Sequence, residues 1–147
     1  MPTKIKIHRL DDAFHFRGSN EAGNTVDMDN SVKEGGTGQG IGPMQMVATA
    51  LGGCSAIDVV HILKKARQPV ENFDIEIEYE RARDQIPAVF THLHVHYILT
   101  GDLNTDKVRR AVNLAIRKYC SVATMLEKTA TITYSFSVNG IRCDEEV

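Results

Sequence analysis

The chain has 147 residues, of which 42% are hydrophobic and 24% charged, and its formal net charge is −2. That length carries one domain with a sizeable core, and without a basic excess the composition argues against a nucleic-acid-binding protein, which must neutralise phosphates. The polar, alternating start "MPTKIKIHRLDD" is no secretory signal, no run approaches the roughly 18 apolar residues of a membrane span, and three cysteines make no disulfide framework, so the sequence predicts a soluble protein of the reducing cytoplasm.

Residues 1–30 read as a three-stranded meander. "KIKIHRL" alternates, with Ile5 and Ile7 on one face; "AFHFRG" and "TVDMD" follow, separated by turns at Asp11-Asp12 and "SNEAGN". Residues 31–42 hold "KEGGTGQGIG" and read as a glycine-rich loop, with no GKS or GKT to make it a phosphate cradle. Pro43 opens a helix that runs to Arg67, with Lys64, Lys65 and Arg67 at its negative end and Pro69 as a stop. From Met44 to Val60 it is apolar nearly all round, which predicts burial on most sides. A chain of this size can hardly wrap such a helix, so a second subunit is expected to cover part of it.

Residues 70–100 form a hairpin in which Phe73, Ile75, Ile77 and Tyr79 alternate with acids, and Leu93, Val95, Tyr97 and Leu99 alternate with His92, His94 and His96. Residues 104–127 give two helices. The first is capped by Asn104 or Thr105 and has Val108, Ala111, Val112, Ala115, Ile116 and Tyr119 as its apolar stripe; the second has Ser121 as its cap. Residues 129–138 are a final strand. The order βββ-α-ββ-αα-β contains no βαβα alternation, so the class is α+β with mainly antiparallel sheet.

Cys54 follows Gly52 and Gly53 inside the long helix, where each glycine costs about 0.8–1 kcal/mol relative to alanine. The cysteine reads either as a small buried hydrophobe or as a reactive thiol. The reactive reading draws on Asp58 and His61 at i+4 and i+7 on the same face, and on Cys120 at a helix junction, where a helix N-terminus favours thiolate. Cys54 itself is mid-helix and needs a cation. Asp58 and His61 also fit a satisfied core polar pair. The His92, His94 and His96 face, opposite Glu76, Glu78 and Glu80, reads as a solvated surface whose carboxylates raise the histidine pKa values, with a zinc site as the alternative. Cys143 reads as a bystander.

"GPMQMVATALGGCSAIDVV", with a second cysteine in "RKYCSVATML", resembles the OsmC/Ohr family of osmotically inducible protein C and organic hydroperoxide resistance proteins, in its redox-protein branch. The resemblance covers nearly the whole chain as a single OsmC-like domain. It implies an intertwined homodimer around the cysteine-bearing helices, with Gly52 and Gly53 admitting a neighbouring helix. It also implies a thiol peroxidase acting on organic, lipid-like hydroperoxides in oxidative stress defence. Cys54 would match the peroxidatic cysteine, Cys120 the resolving one, and Arg17 the arginine at the reactive sulfur. A Cys54–Cys120 disulfide would be reduced by an external dithiol, in this family often a lipoyl group, with no metal or cofactor. The chain departs from the family at Met44, where a glutamate normally orients the arginine. Gln45, Glu21 and Glu34 are candidates to replace it, and Met44 makes the pocket more apolar. The alternative reading is a non-catalytic or redox-sensing protein that holds a small apolar ligand at the dimer interface.

Overall fold

The structure, a computed structural model, describes residues 1–146. The chain forms two compact units, Met1–Val47 and Ala48–Val147. The first contains the expected meander: β1 (Lys6–Arg9), β2 (Phe16–Ser19) and β3 (Thr25–Met28), antiparallel in that order. The glycine-rich loop is not a slack tether. A short 3-10 turn spans Val32–Glu34, and the loop is organised around the buried Asp29. That carboxylate accepts from the amides of Asn30 and Gln39 and from the Thr37 hydroxyl, at 2.7, 3.0 and 2.9 Å. The Gln39 amide is the largest influence holding the Asp29 carboxyl below its usual range. Glycine is required where the loop folds back on itself: a side chain at Gly40 would meet the Asp27 carbonyl oxygen at 2.6 Å, and one at Gly36 would run into Asn30.

The second unit is a four-stranded sheet ordered β4 (Val70–Arg81), β5 (Phe90–Gly101), β6 (Thr131–Val138), β7 (Ile141–Asp144), together with its helices. The β4–β5 hairpin has the expected alternation, with Leu93, Val95, Tyr97 and Leu99 all fully buried. β5 and β6 pair in parallel, because helical segments carry the chain from one to the other. β7 is an additional antiparallel edge strand, so the strand expected to close the fold is not the last one. Asn139 and Gly140 turn the chain into it with φ of 51° and 83°, the positive values that suit an Asn-Gly hairpin turn.

The long helix α1 (Pro43–Lys65) begins with a half capping box: Gln45, in the first turn, accepts the Gly42 amide at 2.9 Å. It ends where Arg67 takes a φ of 57° and the Gln68 amide reaches the Leu63 carbonyl at 2.9 Å. It is long and apolar enough to cross a membrane by length and composition, which corrects the reading of no such run. Only one face is packed, however. Leu51, Ser55, Val59 and Leu63 are buried, whereas Ile57 and Val60 are 62% and 48% exposed. The expectation of burial on most sides therefore fails for the isolated chain. Each buried Leu or Val contributes about 1.5–3 kcal/mol.

Helix α2 (Thr105–Leu114) is capped by Asn104, whose side-chain oxygen accepts the Lys107 amide at 3.1 Å. The expected stripe is buried through Ile116 and then breaks. Residues Ala115–Tyr119 form a π-helical turn, which leaves Tyr119 50% exposed. Such turns insert a residue and are frequent at functional sites. Helix α3 (Ser121–Leu126) follows at once, and its cap is Cys120, not Ser121.

The histidine face corrects another expectation. The register sets Glu76, Glu78 and Glu80 opposite His96, His94 and His92, but the imidazoles bond to β6. His92 and His94 share the Thr133 hydroxyl at 3.0 and 2.6 Å, and His94 and His96 share that of Ser135 at 2.8 and 2.7 Å. One hydrogen per hydroxyl and one N–H on a neutral His94 satisfy this row. Burial, with the charges of Arg142, His92 and His96, pushes the His94 pKa below 6.5 against the opposing pull of Glu78. The net shift is thus downward despite Glu78, and among the described residues these histidines belong to no group of three or more able to hold a metal. Because the unfolded chain binds the His94 proton more tightly, folding stability falls as pH drops below about 6.5. A lower urea midpoint at pH 5.5 than at 7.5, with a smaller difference in His94→Gln, is the expected result; an unchanged difference would rule out His94 as its source.

Candidate functional site

The sequence places Cys54 mid-way along α1 and Cys120 at the junction of the π-helical turn and α3. The fold of the second unit makes them neighbours close enough to interact through their side chains, and both are free thiols. Cys54 is partly exposed and Cys120 fully buried. The Cys120 sulfur accepts the Ala123 amide at 3.4 Å as the cap of α3. A helix N-terminus favours thiolate, as the sequence suggested, but burial outweighs it. Desolvation, the largest influence, and the adjacent Cys54 together push the Cys120 pKa up to about 11. Cys120 is therefore a protonated thiol at neutral pH, beside Cys54.

The turn of α1 that carries Cys54 is pinned from the sheet. Tyr97, fully buried on β5, donates its hydroxyl to Ser55 Oγ at 2.8 Å, and Ser55 donates to the Gly52 carbonyl at 3.1 Å. Burial raises the Tyr97 pKa, so the phenol stays a donor. Neither residue stood out in sequence, although a serine in an apolar helix and a phenol in an apolar row are polar groups that need partners when buried. Gly52 is a close-packing position, but what it admits is a strand side chain. A Cβ there would lie 2.9 Å from Ile77 Cδ1 of β4, while nothing lies within 4 Å of one at Gly53. Among the described residues no helix packs on either glycine; the expected neighbouring helix belongs to a second subunit.

Asp58 and His61 are not a core pair. Asp58 is half-buried and His61 exposed, and no hydrogen bond or ion pair joins them to each other or to any described residue. They line a groove of about 430 Å³ between α1 and the α2–π segment.

Arg17 belongs to the N-terminal unit. It is held by Asp27, its cross-strand partner on β3, through Nε–Oδ1 at 2.7 Å and Nη2–Oδ2 at 3.0 Å. His15 Nε2 shares the same carboxylate at 2.9 Å. The Arg17 guanidinium, followed by His15, draws the Asp27 carboxyl well below the usual carboxylate range. The carboxylate that holds Arg17 is thus Asp27, two residues before the loop organiser Asp29. Cys143, on β7, is half-buried and free.

Comparison with known proteins identifies the fold and the family. Protein YhfA of Escherichia coli K12 is 47% identical over 124 residues, 84% of this chain and 89% of its own. The crystal structure of a hypothetical protein from Aquifex aeolicus VF5 matches with a TM-score of 0.81 at 26% identity, over 95% of this chain and 97% of that one. The organic hydroperoxide resistance protein OsmC of Legionella pneumophila shares the fold, with a TM-score of 0.69 at 19% identity over 94% and 98% of the two chains. The OsmC-like protein family model matches residues 36–135, a span that contains both Cys54 and Cys120, and this chain belongs to the OsmC-like family.

Proposed function

We propose that the chain is a cytoplasmic thiol-dependent peroxidase for organic hydroperoxides, working as a homodimer. The observation that carries this reading is the juxtaposition of two free thiols in unlike environments, a partly exposed Cys54 and a buried, protonated Cys120. Thiolate formation at Cys54 calls for a cation, and Arg17 is the candidate taken from the family. The Cys54 thiolate attacks the terminal peroxide oxygen and the O–O bond breaks. The sulfur becomes a sulfenic acid, and the alkoxide leaves and takes a proton to become the alcohol. The Cys120 thiol then attacks the sulfenic sulfur, forming the Cys54–Cys120 disulfide and releasing water. An external dithiol, for which a lipoyl group is the family precedent, returns two electrons and two protons through a mixed disulfide.

The dimer reading is supported by the exposed apolar face of α1, with Ile57 and Val60, which is unusual for so apolar a helix. The name of the Legionella relative favours organic peroxides as substrates. The test is peroxide consumption by the reduced protein, with cumene hydroperoxide and hydrogen peroxide in parallel. The expected result is faster consumption of the organic peroxide, loss of two hydrogens from the intact mass, and a Cys54–Cys120 bridge on mapping. Unreacted thiols, or slow oxidation without preference, would overturn the proposal.

A further inference from the structure

Cys54, Asp58, His61 and Lys65 fall on one stripe of α1, at i, i+4, i+7 and i+11. The groove starts along this stripe one turn beyond Cys54, and its opposite wall is Arg110, Leu114 and Tyr119. The π-helical turn that swings Tyr119 into this wall also places the adjoining Cys120 against Cys54. The volume, about 430 Å³, is that of a small-molecule site. Its charge is one-sided. Lys65 and Arg110 are cations with no carboxylate within 4 Å among the described residues, and Asp58 is the only acid in the lining. Asp106, one turn before Arg110 on α2, makes no ion pair with it. An unpaired guanidinium and ammonium lining one cavity suit a carboxylate or phosphate oxygen, and Leu114 and Ile62 add apolar wall to it.

We propose that this groove is an anion-selecting arm of the thiol site. It takes an amphiphile whose carboxylate or phosphate is held by Lys65 and Arg110 while its apolar chain runs along α1 toward Cys54. The helix rise puts His61 about 10 Å and Lys65 about 16 Å from Cys54 along the axis, so the charge and the reacting end of the ligand are separated by roughly that span. That the reacting end is a hydroperoxide rests on the peroxidase reading; the anion site does not.

Binding of decanoate, decyl phosphate and 1-decanol to the reduced full-length protein, measured by calorimetry, tests the groove without turnover. Decanoate or decyl phosphate is expected to bind at least tenfold more tightly than decanol. The double variant Lys65→Gln/Arg110→Gln, two exposed side chains, is expected to bring them to the level of decanol. The tighter of the two anions identifies the head group as carboxylate or phosphate. Equal binding of decanol, or unchanged anion binding by the double variant, would overturn the proposal. Charge-dependent binding in a protein that leaves cumene hydroperoxide intact would sink the peroxidase and keep the groove.

Discussion

Cys54→Ser is expected to abolish hydroperoxide consumption, while Cys120→Ser is expected to keep the first chemical step and lose its outcome. The asymmetry follows from the environments of the two sulfurs. Cys54 is partly exposed and so open to a peroxide, whereas Cys120 is buried with its pKa pushed up to about 11. A thiol that is almost wholly protonated at pH 7 is a poor first nucleophile, because the thiolate is the attacking species. A serine hydroxyl at position 54 is far weaker still, so the loss should be complete within detection. In Cys120→Ser, one equivalent of peroxide should oxidise Cys54 to sulfenic acid, seen as one added oxygen in the intact mass. Excess peroxide should then drive it to the sulfinic acid, with two added oxygens, since no thiol remains to form the disulfide. If Cys54→Ser retained turnover through Cys120, the assigned roles would be reversed. Serine is itself a favoured N-cap, so its hydroxyl can take over the contact that the sulfur now makes to the Ala123 amide, and folding is not expected to confuse the result.

The parts of this site that sequence disclosed are those written in local chemistry. Pro43 and the Lys64–Pro69 stretch bound α1 to within two residues, and the two cysteine contexts marked the pair of thiols that the fold brings together. What it hid depends on register and on inserted residues. The period of 3.6 continues through Tyr119 on paper, but the π-helical turn turns that side chain outward and makes it a groove wall. Asp27 is the partner of Arg17 because the meander aligns them cross-strand, a pairing that depends on strand register. The hydroxyl partners of His92, His94 and His96 lie on β6, roughly 40 residues away, through a parallel pairing that no local pattern encodes. The edge strand β7 did carry a signal, the Asn139-Gly140 pair, but the short polar run after it reads more like a tail.

Gly52 and Gly53, adjacent in sequence and equally unfavourable in a helix, are expected to respond in opposite ways. Alanine at either position gains about 0.8–1 kcal/mol of helix propensity. At Gly53 nothing in the chain lies within 4 Å of the new methyl, so Gly53→Ala should raise the stability of the isolated subunit by about that amount. At Gly52 the methyl meets Ile77 Cδ1 at 2.9 Å. The tip of that side chain can yield, so alanine is nearly neutral, but Gly52→Val adds branches facing Ile75 as well and should cost about 1–3 kcal/mol by overpacking. It would also push on the turn that Ser55 and Tyr97 hold in place beside Cys54, so peroxidase activity should fall together with stability. Gly53 has no such role inside the subunit, which gives it diagnostic value for assembly. If α1 packs closely on its copy in a dimer through the face of Gly53, Ile57 and Val60, then Gly53→Leu should shift the protein toward monomer in sedimentation while leaving the subunit folded. A dimer unchanged by Gly53→Leu would place the subunit contact on another surface, and the exposed residues of α1 would then need a different cover.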